Sequence, residues 1–171
     1  MTNTALAKIK LLLMDVDGVL TDGSIAYTGG NMQTMIFNVK DGLGLRMLQN
    51  AGVLAGVVTG RKSEALSRRL RELGIALSFE GVSDKGALLE EILQKTGVTA
   101  DETAFIGDDL PDMGMMKKVG MPIAVADAVF DVRSCAAIVT TRPGGKGAVR
   151  EICDAILQAK GLWADALKKW K

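Results

Sequence analysis

The sequence predicts an α/β fold, a three-layer sandwich of helices around a mainly parallel sheet. Short apolar runs recur along the chain, each ends in glycine or a polar residue, and most precede a segment with helical periodicity. Buried parallel strands and their crossover helices have this pattern. The chain has 171 residues, of which 48% are hydrophobic and 24% charged. This length is that of one folded domain, residues 1–171. The high hydrophobic fraction excludes a mainly disordered chain.

The elements follow in order from these runs. The predicted strands cover residues 9–15, 53–59, 75–79, 103–107, 121–126 and 137–140. The predicted helices carry apolar residues three and four positions apart and cover residues 62–73, 84–96, 128–135 and 146–159, and a further helix has Pro111 in its first turn. Because strands alternate with helices, we expect a Rossmann-like arrangement.

Residues 18–39 break this alternation, because polar and apolar residues alternate there as in strands. Ile25 and Tyr27 lie on one arm, Met35 and Phe37 lie on the other, and two glycines and an asparagine between them provide turn chemistry. The pattern predicts a β-hairpin inserted after the first strand. Since exposed apolar strands tend to be covered, we expect a second copy to pack on it. The alternative is a hairpin folded onto its own domain.

The composition excludes several function classes. A net charge of +1 provides no overall attraction for nucleic acid or an anionic membrane. The chain has no histidine, which rules out imidazole triads, phosphohistidine and His-ligated zinc. Cys135 and Cys153 are too few for a disulfide framework and suit a reducing cytoplasm. We therefore expect a soluble, cytoplasmic protein without nucleic-acid or membrane partners, with a tail, residues 162–171, that is either mobile or docked.

The first candidate site follows the first strand, in Asp15-Val16-Asp17-Gly18. Residues two apart in a strand point to the same side, so the carboxylates of Asp15 and Asp17 start from one face. Like charges this close favour a divalent cation or a protonated acid. The alternative for two acids alone is a solvated loop.

Further polar residues follow three other strands. A hydroxyl, a glycine and a guanidinium follow the second strand, one lysine opens a later helix, and three acids follow the strand 103–107. These residues are Thr59, Gly60, Arg61, Lys85, Asp108, Asp109 and Asp112. Taken singly they also fit ordinary turns and helix caps. Because ligands bind at the carboxyl ends of parallel strands, we expect one site with Mg²⁺ and a phosphoryl group.

These motifs resemble a known family. Asp15-x-Asp17-Gly18, Thr59, Lys85 and the run 107–112 resemble the four motifs of the haloacid dehalogenase superfamily. Over nearly the whole chain, the segments 15–23, 38–42, 59–61 and 144–151 resemble the 3-deoxy-D-manno-octulosonate 8-phosphate (KDO 8-phosphate) phosphatases. The resemblance implies a capless, Mg²⁺-dependent phosphatase of lipopolysaccharide biosynthesis. It also implies a homotetramer, joined through the hairpins, in which neighbouring subunits close the active sites.

The resemblance also implies catalytic roles. Asp15 would attack phosphorus and form an aspartyl phosphate, and Asp17 would serve as acid and then as base. Mg²⁺ would be held by Asp15, the backbone carbonyl of Asp17, and Asp108. Thr59 and Lys85 would contact the phosphoryl oxygens.

Two further acids, Asp109 and Asp112, would position Lys85 or metal-bound water. The implied substrate contacts lie in the loop 38–42 and on several cations; they are Asp17, Asn38, Val39, Lys40, Asp41, Gly42, Arg46, Gly60, Arg61, Arg69 and Lys85. Arg69 could equally extend from the edge of a core stripe into solvent. Lys40 and Lys146 stand where relatives often carry arginine.

Three alternatives stay open. The segment 144–151 is either a cradle for an anion or a tight loop. The substrate is either the eight-carbon acid or a nine-carbon sugar acid 9-phosphate. A phospho-accepting signalling domain also uses acids, Thr and Lys around Mg²⁺, but it places adjacent acids after its first strand.

Overall fold

The computed structural model describes residues 2–28 and 32–168. The strands are β1 (Leu11–Met14), β2 (Ala26–Thr28), β3 (Met32–Thr34), β4 (Leu54–Thr59), β5 (Leu77–Glu80), β6 (Thr103–Gly107), β7 (Met121–Ala124) and β8 (Ile138–Val139). The helices are α1 (Thr2–Lys8), α2 (Val39–Asn50), α3 (Glu64–Leu73), α4 (Lys85–Thr96), α5 (Met113–Met116), α6 (Phe130–Cys135), α7 (Ala148–Ala159) and α8 (Trp163–Leu167). Two 3₁₀ turns cover Ala100–Glu102 and Leu110–Asp112.

The central sheet has the order β5-β4-β1-β6-β7-β8, and every neighbouring pair is parallel. All four residues of β1 are fully buried, as expected for a middle strand covered on both faces. The chain runs outward from β1 through β4 to β5 and then returns to β6 on the other side of β1. The loops after β1 and β6 therefore diverge, and this switch point is where open α/β sheets bind ligands. The predicted α/β fold with a mainly parallel sheet is confirmed.

The helices fall into two packed groups. Helix α2 packs along α7, which also contacts α1 and α8, whereas α4 packs on α5. None of the helices in the described ranges is both long and apolar enough to cross a membrane.

Helix α2 is a correction to the sequence prediction, which placed a loop at residues 38–42. Asn38 caps the helix, since its Oδ1 accepts a hydrogen bond from the Lys40 backbone N–H at 2.8 Å. Two glycines and a weakly segregated apolar face hide the helix in the sequence. Packing explains Gly44, because a Cβ there would lie 2.8 Å from Cδ of Arg150 on α7.

The predicted hairpin is present as the antiparallel pair β2 and β3, with Tyr27 opposite Gln33. Its predicted turn, residues 29–31, lies outside the described residues. Tyr27 is 81% and Ile25 47% exposed. Met35 and Phe37, by contrast, are half-buried against the core, where the chain returns towards α2. One arm of the hairpin therefore presents apolar surface to solvent, and the segment after the other arm joins the core.

Candidate active site

Lys85 lies between two carboxylates at the carboxyl end of the sheet. Its Nζ is 2.8 Å from Oδ1 of Asp15 and 2.7 Å from Oδ1 of Asp112. Burial alone would lower the pKa of Lys85, but the charges of Asp112 and Asp15 outweigh it and raise the pKa. The lysine therefore stays cationic, and it holds the Asp15 carboxylate after β1 in one orientation.

Close backbone contacts bring these groups together. A Cβ on Gly86 would lie 2.8 Å from the carbonyl carbon of Gly114, so the first turn of α4 can approach α5 only without a side chain. Likewise, a Cβ on Gly107, at the end of β6, would lie 2.6 Å from Cβ of Asp112. The two glycines thus set the positions of Lys85 and Asp112.

Asp112 links the lysine to the loop after β6. Its Oδ2 accepts hydrogen bonds from the backbone N–H groups of Asp108 at 2.8 Å and Asp109 at 3.3 Å. Asp109 is exposed, and its Oδ1 accepts from the Leu110 backbone N–H at 2.8 Å. Asp112 therefore contacts Lys85 directly, while the side chain of Asp109 caps its own turn.

Three carboxylates form a cluster at this edge. One oxygen from each of Asp15, Asp108 and Asp112 lies within 4.8 Å of the others. Burial, reinforced by the charges of Asp112, Asp15 and Asp109, raises the pKa of Asp108 to about 8. Burial and the charge of Asp112, opposed by Lys85, raise the pKa of Asp15 to about 6. Ionised carboxylates are thus unfavourable here without a compensating cation.

The cluster fits a hard divalent cation such as Mg²⁺. Oδ1 of Asp108 is buried and has no hydrogen-bond partner among the described residues. Both oxygens of Asp112 already accept hydrogen bonds, which leaves Asp15 and Asp108 as the side chains best able to hold the ion. Carboxylate oxygens are the ligands that Mg²⁺ prefers. The backbone carbonyl of Asp17 stays a prediction as the third protein ligand.

Asp17, Thr59 and Arg61 line a small cleft next to this cluster, and Ile25 and Met35 at the base of the hairpin also line it. Nε of Arg61 is 3.4 Å from Oδ2 of Asp17. Oγ1 of buried Thr59 accepts a hydrogen bond from the Arg61 backbone N–H at 3.2 Å, and its hydroxyl proton can still turn towards an incoming oxyanion. Gly60 lies between them on the exposed edge.

The predicted substrate residues at the start of α2 differ in how exposed they are. Val39 and Lys40 are exposed, with Val39 at 77%. Asp41 is only 1% exposed and its Oδ1 accepts from the Arg150 backbone N–H at 2.7 Å. Nδ2 of Asn38 donates to the Gly145 carbonyl at 3.2 Å. Asn38 and Asp41 therefore contact the start of α7 and the loop before it.

Two predicted cations pack between α2 and α3. Arg46, two turns into α2, donates from Nη2 to the Glu72 carbonyl at 3.1 Å. The guanidinium carbon of Arg69 lies 5.9 Å from the centre of the Phe37 ring, and its Nη2 faces Gly42. Arg69 is thus held against α2, which Gly42 permits by having no side chain. The structure places neither guanidinium in the carboxylate cluster.

The loop 144–147 lies on the backbone that follows Asp17. The Gly145 N–H donates to the Val19 carbonyl at 2.9 Å, and a Cβ on Gly144 would fall on the Gly18 carbonyl. Nζ of Lys146 is 3.2 Å from Oδ2 of Asp22. Of the two interpretations left open, these contacts favour a tight loop.

Sequence reasoning missed Asp127, whose Oδ1 accepts from the Gly144 N–H at 2.9 Å. Asp127 follows β7 at the same edge of the sheet as Asp15 and Asp108. The rule that identified those two acids, a polar residue just after a buried strand, would also have pointed to it.

Comparison with known proteins agrees with this geometry. A profile of haloacid dehalogenase-like hydrolases matches residues 79–152. The 3-deoxy-D-manno-octulosonate 8-phosphate phosphatase KdsC of Haemophilus influenzae is 44% identical over 156 residues, which cover 91% of this chain and 87% of that protein. The enzyme of the same name from Escherichia coli K12 is 42% identical over 92% of this chain and 84% of its own length.

Solved structures are also similar. The 3-deoxy-D-manno-octulosonate 8-phosphate phosphatase of Moraxella catarrhalis, in complex with magnesium, phosphate and KDO, superposes with a TM-score of 0.96 at 38% identity, covering 99% of this chain and 97% of that one. The cobalt-bound Haemophilus influenzae phosphatase gives a TM-score of 0.91 at 41% identity, covering 95% and 98%. The similarity therefore spans the sheet, the helices and the loops that carry the carboxylate cluster.

Proposed function

This chain belongs to the 3-deoxy-D-manno-octulosonate 8-phosphate phosphatase family of haloacid dehalogenase-like hydrolases, and we propose that it hydrolyses KDO 8-phosphate to KDO and phosphate with Mg²⁺ as cofactor. One observation carries the proposal. Asp15, at the switch point of the sheet, is oriented by Lys85 beside Oδ1 of Asp108, which has no hydrogen-bond partner in residues 2–28 and 32–168. In the lipopolysaccharide pathway, this reaction releases the free sugar acid.

The reaction takes place in two phosphoryl transfers at Asp15. In the first, a carboxylate oxygen of Asp15 attacks phosphorus, the bond between phosphorus and the sugar oxygen breaks, and Asp17 protonates the departing alkoxide. In the second, Asp17 takes a proton from water as the water oxygen attacks phosphorus. Phosphate leaves and the Asp15 carboxylate is restored.

The residues around Asp15 prepare it for this chemistry. With a pKa of about 6, Asp15 is mainly ionised near neutral pH and so able to attack. Lys85 and Thr59 donate hydrogen bonds to the phosphoryl oxygens, whose charge is spread outward in the transition state. When bound by Asp15 and Asp108, Mg²⁺ supplies positive charge against the same oxygens.

Arg61 favours a substrate that carries a carboxylate. Its guanidinium lies at the cleft, 3.4 Å from Asp17, and it is partly exposed. A guanidinium binds a carboxylate through two parallel hydrogen bonds, which suits a sugar acid better than a neutral hexose. We propose that exposed Lys40, on the first turn of α2, also contacts the sugar acid.

The proposal is tested by measuring phosphate release from KDO 8-phosphate, a nine-carbon sugar acid 9-phosphate and common hexose phosphates, with Mg²⁺ and with EDTA. We expect a Mg²⁺-dependent preference for KDO 8-phosphate and no turnover by Asp15→Asn. Preference for the nine-carbon acid would change the assigned substrate and leave the proposed mechanism unchanged. A long-lived phosphoprotein without turnover would refute the phosphatase proposal and favour a signalling domain.

We also propose a homotetramer in which a neighbouring subunit covers the hairpin and closes the cleft. The exposed apolar residues Ile25, Tyr27 and Ile36, the last at 70%, support it. Sedimentation of the wild type should give a tetramer, and Tyr27→Lys should dissociate it. A wild type that sediments only as a monomer would contradict this assembly.

The cytoplasm is the proposed location. Cys135 and Cys153 are both free thiols in the structure, and Cys153 is fully buried. Unpaired thiols of this kind suit a reducing compartment.

A further inference from the structure

The start of helix α7 lacks a cap of its own. It begins at Ala148 after Gly147, which has a φ of 103° and no side chain to accept hydrogen bonds from the first turn. The first N–H groups of a helix have no partner within the helix. Oδ1 of Asp41 accepts one of them, the Arg150 N–H, at 2.7 Å. Asp41 on α2 therefore caps α7 from a different helix.

Burial separates Asp41 from the substrate cleft. The residue is 1% exposed, and its neighbours include Arg142, Arg150 and Cys153, which lie around the start of α7. Asp41 is not among the residues that line the cleft with Asp17 and Thr59, and its Oδ1 already accepts the Arg150 N–H. The family resemblance implies that Asp41, in the first turn of α2, contacts the sugar. In the structure, its carboxylate contacts the start of α7.

The loop 144–147, just before the capped end of α7, packs on the turn that follows Asp17. Next to Asp41 on α2, Asn38 donates to the Gly145 carbonyl at 3.2 Å, so α2 holds both the helix and the loop 144–147. That loop in turn donates from Gly145 to the Val19 carbonyl at 2.9 Å and rests on Gly18. Gly18 is the residue after Asp17. A continuous set of contacts therefore joins Asp41 to the backbone of the proposed general acid.

We propose that Asp41 is a positioning residue, which caps α7, fixes the loop 144–147 on the turn after Asp17, and so holds the Asp17 carboxyl where it protonates the leaving group. The inference rests on the proposed function only for a phosphomonoester substrate and for Asp17 as the acid. It does not depend on which sugar the substrate contains.

The test compares kcat/KM of Asp41→Ala and wild type for the Mg²⁺-dependent hydrolysis of three phosphate esters. KDO 8-phosphate and glycerol 3-phosphate both release an alkoxide, which needs a proton, whereas p-nitrophenyl phosphate releases a stable phenolate. Since kcat/KM covers only the steps through formation of the aspartyl phosphate, the later base role of Asp17 does not enter. We expect kcat/KM to fall on the order of tenfold to a hundredfold for both alkyl phosphates and to change little for p-nitrophenyl phosphate.

Each other result overturns the inference in a distinct way. A loss confined to KDO 8-phosphate would make Asp41 a sugar contact. An equal loss on all three substrates would mean that the cap supports the folded site as a whole and has no specific part in placing the Asp17 carboxyl. No loss on any substrate would mean that the cap has no part in catalysis.

Two further variants sharpen the result. Asp41→Asn keeps an oxygen that can accept from the Arg150 N–H, so it should recover most of the activity lost on both alkyl phosphates. Asp154→Asn removes another acid next to Arg150, whose Nε lies 2.7 Å from Oδ1 of Asp154 one turn further along α7, and should leave all three rates unchanged. If the wild type hydrolyses glycerol 3-phosphate but not KDO 8-phosphate, the proposed substrate fails, while the comparison of alkyl with aryl phosphate still decides the role of Asp41.

Discussion

Replacing Asp108 with asparagine should stabilise the metal-free protein and abolish its stabilisation by Mg²⁺. Asp108 is the acid most strongly opposed by its surroundings, because burial and the charges of Asp112, Asp15 and Asp109 raise its pKa to about 8. Its Oδ1 also lacks a hydrogen-bond partner among the described residues. An asparagine removes the charge, and its amide can donate to either neighbouring carboxylate.

The size of the effect follows from the difference in pKa between the folded and unfolded states. Asp108 titrates near 3.8 when unperturbed and near 8 in the folded protein. The stability associated with its proton is therefore fully present below about pH 4 and is lost as the pH rises through about 8. At about 1.4 kcal/mol for each pH unit, the cost at about pH 7.5 reaches at most about 5 kcal/mol. Partial contact with water reduces our expectation to about 2 to 4 kcal/mol.

The assay is thermal unfolding from pH 4 to 8, in EDTA and in Mg²⁺. In EDTA at the upper end of the range, Asp108→Asn should melt about 5 to 15 °C above the wild type, and the difference should vanish near pH 4. At a hundred times its dissociation constant, Mg²⁺ should stabilise the wild type by about 2.7 kcal/mol and leave the variant unchanged. Asp109→Asn is the matched control: exposed Asp109 lies outside the carboxylate cluster and adds least to the raised pKa of Asp108, so this variant should gain less in EDTA and keep its stabilisation by Mg²⁺. The reasoning is refuted if metal-free Asp108→Asn melts below the wild type, or if Mg²⁺ stabilises both proteins equally.

Three more predictions concern the contacts around the site. Gly86→Ala should abolish most activity and lower the melting temperature, because its Cβ would lie 2.8 Å from the Gly114 backbone. The control Gly114→Ala should be tolerated, since its Cβ would lie 3.5 Å from Gly86. Equal losses of activity and melting temperature in the two variants would contradict this prediction. Lys85→Met leaves the carboxylates of buried Asp112 and half-buried Asp15 without their cation and should cost about 3 to 5 kcal/mol in urea unfolding, together with all turnover; a stable variant would show that the ion pairs are dispensable. Lys146→Ala removes a solvent-exposed ion pair with Asp22 and should leave the urea unfolding midpoint nearly unchanged, so a clear loss in the same assay would give the loop contact more weight.

Hydrophobic patterning predicted the sheet because each strand is a short apolar run with polar or glycine ends. It failed at α2, where the helix is specified by a cap and by packing. The sequence VKDGLGLRMLQN contains two glycines and shows little segregation of polar from apolar residues. Those glycines face Arg69 and Arg150, which are distant in sequence, so the reason for them exists only in the folded protein. The cap at Asn38 is the one local signal of this helix, and an asparagine is equally common in loops.

At the candidate site, too, the sequence predicted some features and not others. The rule that ligands bind where parallel strands end is topological, so it brought Asp15, Lys85 and Asp108 together without any knowledge of side-chain geometry. It could not separate the roles of adjacent acids. Asp109 and Asp112 are three residues apart in one turn, yet one is exposed and the other contacts Lys85 and two backbone N–H groups. Their difference arises from which side of the turn faces the sheet.

Charge balance explains why the site must gain a cation before it can hold a phosphate ester. When ionised, the carboxylates of Asp15, Asp108 and Asp112 exceed the single ammonium of Lys85 by two negative charges. The approach of a phosphate dianion to this excess would be opposed in a partly buried setting, where charges are weakly screened. One divalent cation at Asp15 and Asp108 cancels the excess, and Oδ1 of Asp108, which accepts no hydrogen bond from the described residues, can coordinate it. The raised pKa of Asp108 and the capacity to bind an anionic substrate therefore have the same origin, a cluster of acids whose electrostatic balance is completed by a metal ion.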